Sequence, residues 1–106
     1  MTGSNIGFAV YAIGATAGTL DARWSFENVY SGSGQATGGP EEGFVGDFHI
    51  RYFFENGDFS DEYDLQIRKD GDLYDVLWLV DGAVSAFGVG MEVGSCLAVG
   101  WRRVSD

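Results

Sequence analysis

The stretch that decides the fold is Phe48–Met91, FHIRYFFENGDFSDEYDLQIRKDGDLYDVLWLVDGAVSAFGVGM. β-Branched and aromatic residues alternate with polar ones in four runs, and the breaks between runs carry turn dipeptides. These are Asn56-Gly57, Asp70-Gly71 and Asp81-Gly82. Each offers a residue tolerant of positive φ followed by glycine, which the twist of a tight hairpin requires. The runs Phe48–Phe54, Tyr63–Lys69, Leu73–Val80 and Ala83–Met91 are therefore expected to form a four-strand antiparallel meander.

Upstream, Phe8–Ile13 and Thr19–Phe26 read as a hairpin around Gly14-Ala15-Thr16-Ala17-Gly18. Gly32–Thr37 is rich in glycine and serine but stands where a connecting strand belongs, and Leu97–Val104 completes the series. About eight strands spaced roughly a dozen residues apart are the signature of an all-β barrel or sandwich. Hairpins without a long crossover favour an antiparallel up-and-down barrel, and eight strands can close completely, which removes exposed edges. Apolar residues recur at helical spacing nowhere for three turns, so no significant helix is expected. The Ser31–Glu42 segment is the most linker-like, yet neither side of it is long enough for a domain. Residues 1–106 are read as a single barrel domain.

The 106 residues are 45% hydrophobic and 15% aromatic, enough for a core and too apolar for disorder. A single cysteine, Cys96, excludes an internal disulfide and a cysteine-based zinc cluster. Six basic residues against 16 acidic ones give a net charge of -10. That charge repels phosphate backbones and anionic lipid, so neither nucleic acid nor membrane is expected as a partner. Ile6–Ala12 followed by Ala15-Thr16-Ala17 has the outline of a secretory signal, but no lysine or arginine precedes Arg23. The apolar run is also too short to span a bilayer. It reads as a strand, and a cytoplasmic location is expected.

Alternation assigns the faces. Phe48, Ile50, Tyr52 and Phe54 share one side of their strand, against Asp47, His49, Arg51 and Phe53 on the other. Tyr63, Leu65 and Ile67 oppose Asp64, Gln66 and Arg68, and Tyr74, Val76, Trp78 and Val80 oppose Asp75, Leu77 and Leu79. Leu20, Ala22, Trp24 and Phe26 form another apolar row, as do Leu97, Val99 and Trp101. These rows are expected inside. Leu77 and Leu79, together with Tyr11 and Ile13 opposite Val10, then form half-apolar outer rows of the kind a second subunit covers. A homodimer or higher homo-oligomer is expected on that ground.

Catalytic and metal chemistry find little support in the residues. His49 between Asp47 and Arg51 could serve acid–base work, but an exposed ladder in which Asp47 and Asp64 flank Arg51 and Arg68 explains the row as well. Asp58, Asp61, Glu62 and Asp64 crowd one hairpin end and Asp70, Asp72 and Asp75 another, without the ligand spacing of a calcium loop. The glycines of Gly32–Gly39 lack the lysine and helix of a phosphate loop. Cys96, beside a strand start, reads as a small packed residue rather than a nucleophile. No enzyme site, metal or cofactor is expected.

The string GVGMEVGSCLAVGW, Gly88–Trp101, resembles a hairpin signature in a group of small bacterial proteins that look like the avidin and calycin barrels. GDLYDVLW, Gly71–Trp78, is similar to the strand that leads into it. GFAVYAI, Gly7–Ile13, and GTLDARW, Gly18–Trp24, are similar to the pair that follows. The resemblance implies an eight-stranded antiparallel barrel of the streptavidin type. The polar and tryptophan set of the biotin-binding avidins has no residue-by-residue match here, so no binding residue is carried over and biotin is not expected. Fold alone does not fix function.

Two functional expectations follow. The first is a binding module whose interior takes a small apolar or aromatic ligand against Trp24, Tyr52, Tyr74, Trp78 and Trp101. The second is a structural or interaction protein, its barrel filled by those same rings, that oligomerises through its outer strand faces.

Overall fold

A computed structural model describes residues 5–104 of the chain. Its strands are β1 Gly7–Ile13, β2 Leu20–Phe26, β3 Tyr30–Thr37, β4 Gly46–Phe54, β5 Phe59–Asp70, β6 Leu73–Val80, β7 Ala83–Val93 and β8 Cys96–Arg103. Each pairs antiparallel with its neighbours in sequence, and β8 returns to β1 to close the barrel. Among the described residues there is no helix. The expected all-β, eight-stranded up-and-down barrel is the fold, and closure leaves no strand edge unpaired.

Two of the expected turns fall at the dipeptides and one moves. Asp81 and Gly82 both take positive φ, 52° and 83°, which joins β6 to β7 with the mirror-image turn that matches strand twist. Asn56-Gly57 lies in the β4–β5 loop, where the Asp58 amide donates to the Asn56 side chain (2.9 Å). Between β5 and β6 the connection is Gly71-Asp72 rather than Asp70-Gly71, because Asp70 still pairs with Leu73. The longest connection, between β3 and β4, carries Phe44, which is buried in the core.

The interior separates into a packed half and an open half. Leu20, Ile50, Leu65, Ile67, Val76 and Leu97 are completely or almost completely buried, with Phe44 and Phe48, and fill the barrel toward the β3–β4 loop. Each large aliphatic side chain taken from water contributes roughly 1.5–3 kcal/mol. Glycine makes room in the wall. On β3 the inward row is Gly32, Gly34 and Ala36, and a Cβ on Gly34 would lie 2.7 Å from the Tyr52 ring. The poor strand composition of this segment is thus a packing requirement of the aromatic rows beside it.

Two face assignments are corrected. Tyr11 is fully buried and points inward with Ala9, while Val10 faces out. The run GFAVYAI is apolar on both faces, so alternation could not orient it; the bulk of Trp101 against Gly7 does, because a Cβ at Gly7 would lie 2.1 Å from the indole. Val80 is 48% exposed rather than interior, since the β6–β7 register shifts at Trp78/Leu79 and Val80 ends its strand at the turn. The outer ladder also differs in detail. Arg68 pairs with Asp47 (2.7 Å), and His49 takes Glu62 (2.6 Å) and Asp64 (3.3 Å), which raises the imidazole pKa through those hydrogen bonds. Arg51 instead lies over the Phe53 and Phe59 rings.

The outer surface has two unlike halves. β2 to β5 present Asp21, Arg23, Gln35, His49, Asp64 and Arg68, a charged and polar lattice. β6, β7, β8 and β1 present Leu77 and Leu79, then Phe87, Val89 and Met91, then Ala98 and Gly100, then Phe8 and Val10. In this second half only Asp75 and Arg102 break the apolar rows.

Candidate functional site

In an up-and-down barrel the C-terminal ends of β2, β4, β6 and β8 lie at the same end. Here those ends carry Trp24 and Phe26, Tyr52 and Phe54, Trp78, and Trp101 and Arg103. Around them opens a cavity of about 230 Å³. Ala9, Tyr30, Ser60, Asp61, Tyr63, Ser85 and Ala86 complete its wall. Of the five residues expected to bind a ligand, Trp24, Tyr52, Trp78 and Trp101 meet here. Tyr74 does not, because it begins β6 and so lies at the opposite end, where its hydroxyl donates to Glu92 (2.7 Å).

The rings are held rather than loosely placed. The Trp24 indole N–H is shared between the carbonyls of Ser33 (3.0 Å) and Phe53 (3.3 Å). That fixes its plane edge-on to Tyr52 at 6.2 Å between centroids. Phe26 stacks on Trp101 at 5.1 Å and 13°, and Trp101 meets Trp78 at 5.9 Å. Such pairs add about 0.5–1.5 kcal/mol each beyond the area they bury. Trp101 can seat against β1 because Gly7 has no side chain.

Beneath the rings lies a polar floor. The Trp78 indole N–H donates to the Tyr52 hydroxyl oxygen (2.7 Å), and that oxygen also lies 2.8 Å from the Tyr11 hydroxyl. Burial pushes both phenol pKa values well above the ordinary one. On the wall, the Tyr63 hydroxyl donates to the Asp61 carboxylate; burial and then this bond push Tyr63 up to about 12. All three phenols therefore stay protonated at ordinary pH and act as neutral hydrogen-bonding groups, not as bases. At the rim, Arg103 is fixed through its backbone by Asn5, whose amide oxygen accepts from the Arg103 N–H (2.9 Å) and whose amide nitrogen donates to the Arg103 carbonyl (2.8 Å).

Sequence reasoning did not single out Phe26, Phe54, Asp61, Tyr63 or Arg103, and it placed Tyr11 outside. The signal that finds the first five is chain direction: each stands on an inward row near the same barrel end as Trp24 and Trp101. His49, the candidate acid–base residue, sits on the outer face away from the cavity and 47% exposed. Cys96 opens β8 at the far end. The chain finds no match among protein-family models, curated proteins or solved structures.

Proposed function

We propose that the protein binds a small aromatic molecule in the open half of the barrel. The observation that carries this reading is the 230 Å³ cavity walled by all three tryptophans of the chain, with a few polar groups at its floor and rim. Apolar walls with sparse, fixed polar atoms are the usual composition of a small-molecule pocket. The volume lies just below the roughly 300–1,000 Å³ of drug-sized sites, which suits a one- or two-ring occupant and is too small for a nucleotide cofactor. Because every tryptophan lines the cavity, intrinsic fluorescence reports this site alone. Titration with naphthalene should give a saturable, one-to-one change in emission, and Trp78→Leu should weaken it at least tenfold. Absence of saturation with naphthalene, indole and quinoline alike would overturn the reading.

A specific observation also favours self-association. The apolar rows of β6, β7, β8 and β1 form one face on a chain of net charge -10, and the carboxylates lie mostly on the other half. A second copy is the partner this face suits: pairing face to face keeps the acidic halves apart, and a two-fold axis lets Asp75 of each chain meet Arg102 of the other. Sedimentation should find a dimer at tens of micromolar and a monomer for Leu79→Asp, which buries an unpaired charge in the contact. A monomeric wild type at that concentration rejects the pairing and leaves the cavity reading untouched.

A further inference from the structure

Just beneath the cavity three hydrogen-bond donors meet two phenolic oxygens. Three protons compete there: the Trp78 indole N–H and the hydroxyl protons of Tyr11 and Tyr52. The indole is a donor only, so the 2.7 Å contact commits one lone pair of the Tyr52 oxygen. The 2.8 Å contact between the two hydroxyls holds one proton, not two. Tyr11 is fully buried, and among the described residues its hydroxyl proton has no acceptor other than the Tyr52 oxygen, since the neighbouring Trp78 indole can only donate. If Tyr52 donated to Tyr11, the Tyr11 proton would be stranded in the core, a penalty that folded proteins avoid. If Tyr11 donates to Tyr52, each proton in the core is satisfied. The Tyr52 oxygen then accepts twice, and its own proton has to point elsewhere. Tyr52 and Trp78 line the cavity and Tyr11 does not, which leaves the cavity side as the direction open to that proton.

From this we infer that the pocket selects an aromatic ligand bearing a hydrogen-bond acceptor, a ring carbonyl oxygen or ring nitrogen, at its inner end, with the Tyr52 hydroxyl as the donor that recognises it. The inference rests on the cavity reading above and gives it a polarity: rings of the ligand lie among Trp24, Trp78 and Trp101, and its acceptor reaches the floor. A ligand without an acceptor leaves the Tyr52 proton unpaired once water is displaced, so discrimination arises from that loss as much as from the bond gained.

The test uses two bicyclic probes, 2-quinolinone with a lactam carbonyl and naphthalene with no polar atom, titrated by tryptophan fluorescence and calorimetry. The wild type should bind 2-quinolinone about tenfold or more tighter than naphthalene. Tyr52→Phe should collapse the ratio of the two affinities within the variant, whatever it does to either affinity alone. Tyr11→Phe separates the two proton arrangements without touching the cavity wall. It should leave the gap as in the wild type, because the Tyr52 proton already faces the ligand. A gap that is absent in the wild type and emerges only in Tyr11→Phe means that Tyr52 donates inward, and overturns the inference. Equal binding of both probes by all three proteins overturns it as well, with the cavity reading intact. Failure of both probes to bind the wild type rejects the cavity reading itself.

Discussion

Gly32→Ala is expected to destabilise the barrel by about 3 kcal/mol or more, at the upper end of what overpacking costs. The glycine has no unusual φ, so the penalty is not conformational. A Cβ there would lie 1.8 Å from the Phe53 carbonyl oxygen, 2.8 Å from its carbon and 2.9 Å from the Phe54 Cα. All three atoms are backbone, and no rotamer change can move them. β3 would have to part from β4 at the point where β4 carries Tyr52 and Phe54 into the cavity. Against a total stability of roughly 5–15 kcal/mol, one methyl then removes a large share. Gly100→Ala is the matched control, since its Cβ meets nothing within 4 Å. Urea unfolding should place Gly100→Ala within about 0.5 kcal/mol of the wild type. Similar midpoints for the two variants would show that the β3–β4 spacing is adjustable.

Raising the pH should unfold the protein steeply. Tyr11 and Tyr52 have folded-state pKa values raised well above 10 by burial, whereas in the unfolded chain they titrate near 10. Below that pH both states hold the protons and stability is intact. Above it the unfolded chain loses protons that the folded chain keeps, so stability falls as pH rises. Two such protons give a slope of about 2.7 kcal/mol per pH unit. Tyr63, pushed up to about 12 but half exposed, adds a smaller amount. Circular dichroism should therefore show cooperative loss of the barrel above pH 10, with tyrosinate absorbance rising in the same transition. Tyr11→Phe should reduce the slope by one proton. Independent titration of all five tyrosines near 10, with the fold retained, would mean that these phenols are reached by solvent.

Most of the architecture is legible in the chain because hairpins are local objects. A turn dipeptide and the alternation on either side of it specify a strand pair without reference to the rest, and β4 to β7 carry both. β1 shows where this stops. Its residues are apolar on both faces, so period two could not decide whether Tyr11 or Val10 points inward; a contact with β8, far along the chain, decides it. The cavity was half legible for a related reason. Composition drew attention to aromatic residues on inward rows, which found Trp24, Tyr52, Trp78 and Trp101, but an inward row has two ends. Tyr74 shares the row of Trp78 and lies one packed layer away from the site. Asp61 and Arg103, polar residues on inward rows, were passed over because their surroundings, not their types, make them part of the wall.

The seam between β1 and β8 carries a consequence for how the chain reaches its native state. Seven of the eight strand pairs join segments adjacent in sequence, and only this one joins remote ones, with the Asn5–Arg103 clasp spanning 98 residues. Local hairpins form in microseconds, whereas joining distant segments bears the full entropy of closing the intervening chain. The ring is therefore expected to complete late, and the same seam is expected to open first when the native state fluctuates. Ala9 and Trp101 flank it within the cavity wall, so transient parting of β1 from β8 widens the mouth beside the tryptophan cluster. If the cavity holds the ligand proposed above, its exchange is expected to follow the opening rate of this seam, which hydrogen exchange of the β1 and β8 amides measures directly.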